Sequence, residues 1–491
     1  MMRGYDACET AIDVSSLKVK SLDFKVHEFE VQEVVSSTLP AFVWGACFAK
    51  PKVTPSNVDL SLRKRLYHLP PELNHRMFSK LRAFAHKWAV ENLTPLTHIK
   101  TFDEWIEETH YSEKRKKKLR KIHDEGCVND VFEAKVKCFV KDEFYSELKA
   151  PRMISSREDK AKVRLGPIFS SIEDVLYQLP CFVKRLTASQ RIEKIQRLFG
   201  DRRVYVTDYS AFETHFHPAM MEAVEMQVYK VLLRNFPDAL QLVRVIQGRN
   251  RMVSKYFHGR LDGVRMSGEM NTSVGNGISN YIFMNFACKE MGVCLRNIIV
   301  EGDDGLVELD GDLDPELFRR MGLEIKLAPT RPCEASFCGC VFDPVTSRNF
   351  GHPLDLLAKI GWAPKKALHY SARRRTELLV AKVYSAIAEF PGVPLIWKFC
   401  DLTLKYYGRV TYARAMKYQD YYRTVLCTLS DVVVEPDMRD REYFAHLTGL
   451  TCRDQMIIEH EFEATYPVCY SERLLATLPE LWNHNWSEYV M

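Results

Sequence analysis

Two stretches of this sequence set carboxylates at the ends of short, β-branched runs. Ile298-Ile299-Val300-Glu301-Gly302-Asp303-Asp304-Gly305-Leu306-Val307-Glu308-Leu309 holds two apolar runs around a tight acidic turn. That is the pattern of a β-hairpin with Asp303 and Asp304 at its tip. Val204-Tyr205-Val206-Thr207-Asp208-Tyr209-Ser210-Ala211-Phe212-Glu213 carries a third carboxylate, Asp208, at the end of another such run. Adjacent aspartates repel each other, and a divalent cation would neutralise them. Carboxylates from two strand ends that converge on a pair of metal ions are what phosphoryl transfer needs. One ion activates an attacking hydroxyl and the other stabilises a leaving pyrophosphate. A Gly-Asp-Asp turn alone is usually a solvated hairpin, so the chemistry rests on what surrounds it.

Upstream lie Phe139-Val140-Lys141-Asp142-Glu143, then Lys149-Ala150-Pro151-Arg152-Met153-Ile154 and Arg157. Cations at this spacing on an extended, proline-marked segment can line a channel for a triphosphate and a template backbone. On residue types alone, a charged surface loop fits this stretch equally well. Between the two carboxylate stretches lies Arg265-Met266-Ser267-Gly268-Glu269-Met270-Asn271-Thr272-Ser273-Val274-Gly275-Asn276. Gly268 and its small neighbours let backbone come close to a template base or sugar. Ser267, Thr272 and Asn276 offer short polar groups, the last two on one face if helical. The plain alternative is a Ser/Thr/Gly loop with a helix cap. After the hairpin come Gly322-Leu323-Glu324-Ile325-Lys326-Leu327 and Ser336-Phe337-Cys338-Gly339. Alone, Lys326 reads as a surface lysine on a strand and the second segment as buried core.

In this order, from about Lys141 to Gly339, the motifs resemble those of the RNA-dependent RNA polymerases of positive-strand RNA viruses. The tombusvirus-like group is nearest, with flavivirus-like polymerases next. The resemblance implies an α+β, right-hand fold: an N-terminal extension and fingers over 1–170, palm over 171–225 and 263–345, a fingers insertion over 226–262, and thumb over 346–491. It implies that Asp208, the Tyr209 carbonyl, Asp303 and Asp304 hold Mg2+, with Mn2+ as the alternative. Lys149 and Arg152 match phosphate-contacting positions, with Arg157 beside them, and Lys141 and Glu143 match a pair that supports the roof of the nucleotide tunnel. Ser267, Gly268, Thr272 and Asn276 match the segment that reads ribose hydroxyls. Glu213 stands where the family usually has aspartate, which keeps the charge and lengthens the arm. Lys326 matches a lysine that protonates departing pyrophosphate, and Ser336 to Gly339 a hairpin that grips the primer strand.

The implied activity is template-directed RNA synthesis. Its partners would be template and product RNA, nucleoside triphosphates and other viral replication proteins. Its implied location is the host cytoplasm, in replication complexes attached to membranes through those partners. A reverse transcriptase would usually show a bulky aromatic gate after the first metal aspartate and an aromatic-x-Asp-Asp turn. A non-catalytic RNA-binding scaffold would have lost a metal carboxylate, yet Asp208, Asp303 and Asp304 are all present.

These residues need a large scaffold. The 491 residues, 46% of them hydrophobic, suffice for two to three subdomains with a sizeable core. The net charge of +5 is modest, but cations cluster in Lys114-Arg115-Lys116-Lys117-Lys118-Leu119-Arg120-Lys121 and in Arg373-Arg374-Arg375. Such blocks suit a polyanion, or simply a solvated helix face. The fourteen cysteines include no Cys-x-x-Cys pair and read as reduced thiols of a cytosolic protein. No apolar stretch is long enough to span a bilayer; Tyr281 to Val300 comes nearest, broken by Lys289, Glu290 and Arg296. Phe24 to Val31 alternates like a strand. Pro70-Pro71-Glu72 predicts a helix running through Trp88, and Thr101-Phe102-Asp103-Glu104-Trp105 another helix start. One amphipathic helix is predicted over 219–235, a longer one over 274–291, and a helix-rich region beyond 346.

Overall fold

The computed structural model describes residues 18–19, 31–32, 50–51, 53–66, 74–126, 135–141, 150–343, 345–360, 370–408, 432–467, 469 and 471–477. Helices and sheets are mixed along the chain. At the centre lies a four-stranded antiparallel sheet in the order Ile325–Thr330, Val204–Tyr209, Asp304–Leu309, Leu295–Glu301. Side chains alternate between the faces of a strand. Tyr209, Val300 and Val307 enter one core with Phe182, Phe212, Ile278 and Ile282. Val204, Ile299 and Leu306 enter another with Ile192, Ile195, Phe199 and Phe337. With apolar side chains packed on both faces, the sheet brings its carboxylates to water at the strand ends.

The long helix Thr272–Met291 lies on the first face and is buried nearly all round, from Val274 through Cys288. Gly292 ends it at φ +68, the left-handed position that glycine takes without a Cβ clash. The helix predicted over 219–235 is two helices, Pro218–Ala223 and Glu225–Leu232, broken at Val224 with φ −117 and ψ −83. Neither glycine nor proline marks that break; packing makes it, since both segments bury apolar side chains in the same core. The helix predicted after Pro70 starts later: it runs His75–Asn92 and is capped by Asn74, whose side chain accepts from Met77 N. Phe102–Glu108 opens with the Thr101/Glu104 capping box. Residues 24–30 of the alternating N-terminal stretch lie outside the described residues.

A second sheet of five strands stands beside the first, in the order Lys18–Val19, Phe257–Asp262, Arg249–Val253, Lys135–Val140, Met153–Arg157. Val136, Cys138 and Val140 point into a core with Val58 and Leu62 of the helix Pro55–Arg65 and with Met252 and Met266. That alternation fixes which face of the Lys135–Val140 strand is free for charge. Beyond residue 346 the helices Ala372–Glu389, Ile396–Tyr407, Met438–Thr448 and Cys452–Thr465 build a core of their own. Among the described residues, no helix is long and apolar enough to cross a membrane.

Candidate active site

The Asp303 hairpin has a two-residue loop, because Asp304 already pairs with Glu301. Gly302 opens that loop at φ +64, which glycine adopts at little cost. Two elements clamp the loop from behind. Asn280 of the long helix donates through Nδ2 to the Asp303 carbonyl at 3.0 Å, and its Oδ1 accepts from the Tyr209 hydroxyl at 3.1 Å. Thr207 donates through Oγ1 to the Asp303 carbonyl at 3.4 Å. Gly305 makes this possible: a Cβ there would lie 2.6 Å from Thr207 Oγ1.

The strand register then sets the carboxylates together. Gly305 faces Thr207, so the next position along the ladder brings Asp304 opposite Asp208. On its other side Asp208 faces Lys326. Cross-strand partners share a face, so Lys326 and Asp304 flank Asp208. Glu213 follows on the 3-10 turn Phe212–His215, entered through Ala211 at φ +50. A left-handed non-glycine residue is costly, and such strain concentrates at functional sites.

Among the described residues, Asp208, Glu213, Asp303 and Asp304 make no ion pair. Asp303 keeps contact with solvent but sits in a cleft crowded by protein atoms. Loss of water, with the negative Glu213, Asp304 and Asp208 nearby, pushes its carboxyl up to about 6. Burial, Glu301 and Asp208 raise Asp304 as well, against a hydrogen bond from the Cys338 thiol. Hard oxygen donors with surplus negative charge fit a divalent cation such as Mg2+. As the side chains stand, no three His, Cys, Asp or Glu residues among those described already form a closed metal cage.

Above the hairpin opens a cleft of about 250 Å³. Its lining includes Asp303, Tyr209 and Glu213 together with Lys141, Arg152, Arg65, Arg265 and Ser267. The ladder explains the cationic wall. Val140 pairs with Met153, and Lys141 N donates to Arg152 O at 2.7 Å, which carries the register one step further. Lys141 and Arg152 therefore face each other at the hairpin end and share the cleft. A cleft lined by both carboxylates and cations can hold a polyphosphate between the chain's own cations and bound metal ions.

Of the remaining sequence-predicted residues, Lys149 and Glu143 lie outside the described residues. Arg157 is 3% exposed and turns away from solvent: its Nε donates to Glu269 at 2.7 Å and its Nη2 to Asn250 at 2.7 Å. Ser267 borders the cleft and bridges to the neighbouring strand, accepting from Ser155 N and donating to Met153 O. Gly268 lets the same segment approach, since a Cβ would meet Ser155 O at 2.9 Å. Thr272 donates through Oγ1 to Met266 O and Glu269 O at the start of the long helix. Asn276 is 2% exposed and accepts from Arg265. Ser336 to Gly339 turn tightly through the Phe337–Cys340 bridge, which places Cys338 against Asp304.

Arg65 and Arg265 are cleft residues that sequence reasoning missed. Arg65 closes the basic run Arg63-Lys64-Arg65 at a helix end, far from every motif. Arg265 opens the Ser267 motif, and only its place among the residues that line the cleft distinguishes it.

A family model described as viral RNA dependent RNA polymerase matches residues 57–322, more than half of the chain and the whole of the carboxylate hairpin. The chain is 27% identical to the RNA-directed RNA polymerase of Oat chlorotic stunt virus (isolate United Kingdom), over 54% of this chain and 39% of that protein. It is 24% identical to the RNA-directed RNA polymerase of Cucumber necrosis virus, over 66% of this chain and 42% of that protein. With the RNA-directed RNA polymerase of Maize chlorotic mottle virus (isolate United States/Kansas/1987) the identity is 30%, over 37% and 21%. In each case the match spans less than half of the relative's length.

Proposed function

This chain belongs to the viral RNA-dependent RNA polymerase family, and we propose that it adds ribonucleotides to an RNA 3′-hydroxyl on an RNA template. The carrying observation is a cleft that Glu213 and Asp303 share with Lys141 and Arg152, next to Asp208 and Asp304 on the adjoining strand ends, while none of the four carboxylates has an ion-pair partner among the described residues. In this reading the four-stranded sheet is the palm, the five-stranded sheet belongs to the fingers and the helices beyond residue 346 form the thumb.

Asp208, the Tyr209 carbonyl, Asp303 and Asp304 would hold Mg2+ or Mn2+. Bound there, such ions lower the pKa of the attacking hydroxyl and stabilise charge on the leaving pyrophosphate. The chain's own residues do the rest. Arg152 and Lys141, with Lys149 on the same segment, bind the triphosphate oxygens and align the α-phosphate. Lys326, beside Asp208, supplies a proton to the departing pyrophosphate. Ser267, Gly268, Thr272 and Asn276, with Glu213, shape the sugar site. Asn280 and Thr207 act by holding the Asp303 loop at a fixed height. RNA, nucleoside triphosphates and other viral replication proteins are the proposed partners, in host cytoplasmic complexes whose membrane attachment comes through those proteins.

The test is incubation of the full chain with a defined RNA, four ribonucleotides and Mg2+, with and without primer. The reading expects complementary RNA from the wild type and none from Asp303→Ala. Failure of the wild type with both Mg2+ and Mn2+ would overturn it.

A further inference from the structure

The strand Met153–Arg157 closes one edge of the five-stranded sheet, and Arg152, which lines the cleft, is the residue just before it. The strand's outer side is stitched to the segment from Ser267 to Glu269. Ser155 N donates to Ser267 Oγ at 3.1 Å, Ser267 Oγ donates to Met153 O at 3.1 Å, and Gly268 N donates to Ser155 O at 2.8 Å. The last stitch is ionic: Arg157 Nε donates to Glu269 Oε1 at 2.7 Å, and both side chains are buried.

The other end of the segment is tied to the carboxylate hairpin. Thr272 opens the long helix and donates through Oγ1 to the Glu269 carbonyl at 3.1 Å. Asn271 donates through Nδ2 to Glu225 Oε2 at 3.1 Å, and Arg265 Nη2 lies 2.6 Å from the same oxygen. About two helical turns further on, Asn280 holds the Asp303 carbonyl at 3.0 Å. A continuous run of short contacts thus joins the strand that follows Arg152 to the loop that carries Asp303.

Within that run, Glu269 is the link whose cost needs a reason. Arg157 also gives its Nη2 to Asn250 Oδ1 at 2.7 Å, so its guanidinium is anchored in the sheet and cannot follow the segment. Arg157 Nη1 and Glu269 Oε2 have no hydrogen-bond partner among the described residues. An ion pair taken out of water recovers its desolvation cost only where its geometry is excellent and its remaining atoms are satisfied. This pair is therefore a poor source of net stability. What it does fix is the distance between the Met153–Arg157 strand and the start of the long helix.

We propose that Glu269 is a positioning residue: through Arg157 it holds the strand behind Arg152 at a set distance from the carboxylate hairpin, and so sets where Arg152 meets a triphosphate. The inference rests on the reading of this cleft as the nucleotide site. It gives Arg157 the same indirect role, as the anchor of Glu269 rather than a phosphate contact.

A double-mutant cycle of Glu269→Ala and Arg152→Ala in the full chain tests this, read well below the melting temperature of each variant. The readouts are KM and kcat for single-nucleotide incorporation and the equilibrium affinity for a nucleoside triphosphate with Mn2+. Glu269→Ala should weaken nucleotide affinity and raise KM by about threefold or more, the scale of a substitution that acts through a packed network, with kcat changed less. In the Arg152→Ala background the same substitution should change affinity little, because the contact it acts through is gone. Effects that multiply would overturn the inference, by showing that Glu269 acts elsewhere than through Arg152. So would a Glu269→Ala variant that melts lower yet keeps wild-type affinity, KM and kcat, which is the mark of a purely structural pair. If Glu269→Ala does not fold, Arg157→Lys takes its place in the cycle. It keeps a buried positive charge but cannot reach both Glu269 and Asn250, and the same outcomes decide. A wild type that adds no nucleotide would defeat the polymerase reading instead, and triphosphate affinity across the cycle would still decide this one.

Discussion

Two sets of carboxylates lie close together in this molecule and have opposite surroundings. Glu225 and Glu269 are buried at 0% and 8% exposure, and each is matched by an arginine: Arg265 at 2.6 Å and Arg157 at 2.7 Å. Glu213 and Asp303 line the cleft, Asp208 and Asp304 lie on the strand ends beside them, and none of the four makes an ion pair among the described residues. The residue types are nearly the same; the difference is where the compensating charge comes from. A buried carboxylate paired within the chain fixes the fold. A cluster left uncompensated stays in a native protein only where something outside the chain neutralises it.

That contrast can be broken at either end. The largest expected effect is on activity. Asp303→Ala or Asp208→Ala should slow nucleotide addition by about a thousandfold or more, because a ligand acting on the transition state is lost. RNA affinity should hardly change, since it depends on phosphate charge. Wild-type elongation rates in either variant would refute the assignment. Next comes stability at the paired end. Arg157→Ala strands the buried Glu269 carboxylate and should cost about 3–5 kcal/mol, seen as a lower midpoint in urea unfolding. A midpoint within error of wild type would mean that the pair is dispensable.

A smaller effect belongs to the cationic wall. Arg152→Ala should raise the apparent Michaelis constant for nucleotides by about tenfold, the scale of one charge-assisted phosphate contact. An unchanged nucleotide dependence would make Arg152 a bystander. The smallest effect has an unusual sign. The folded state raises Asp303 from 3.8 to about 6, so the native protein binds this proton more tightly than the unfolded chain does. Stability from this group is therefore present below pH 4 and is lost as the pH rises through 6. Metal-free Asp303→Asn should melt above wild type at pH 7, by less than about 1 kcal/mol because solvent screens the carboxyl. The difference should vanish near pH 4. An Asn variant that melts lower at pH 7 would argue that the site carries no net repulsion.

How much of this was legible in the sequence depends on how local each interaction is. The Asp303 hairpin could be read directly, because β-branched runs and a glycine at the turn are all it needs. The long helix and the Asp208 strand were legible for the same reason. The break at Val224 was not, since no glycine or proline marks it. The place of Arg157 was not legible either: its partner Glu269 lies 112 residues away, in the loop before the long helix, and joins it only in the assembled fold. Arg65 reached the cleft unannounced, because the packing of its helix against the Lys135–Val140 strand carries it there. Lys141 and Arg152 could be read as cations near a phosphate, but only the strand register shows that they face each other.

The central claim is that the four carboxylates with no ion pair among the described residues are a cation site. The most direct measurement is retention of Mn2+ by the full chain in the presence of a non-hydrolysable nucleotide, followed by the magnetic resonance signal of the free ion. The account predicts a saturable loss of free Mn2+ with wild type, strongly weakened in Asp208→Ala and Asp303→Ala and unchanged in Lys326→Ala. Equal retention by wild type and the two aspartate variants would contradict it.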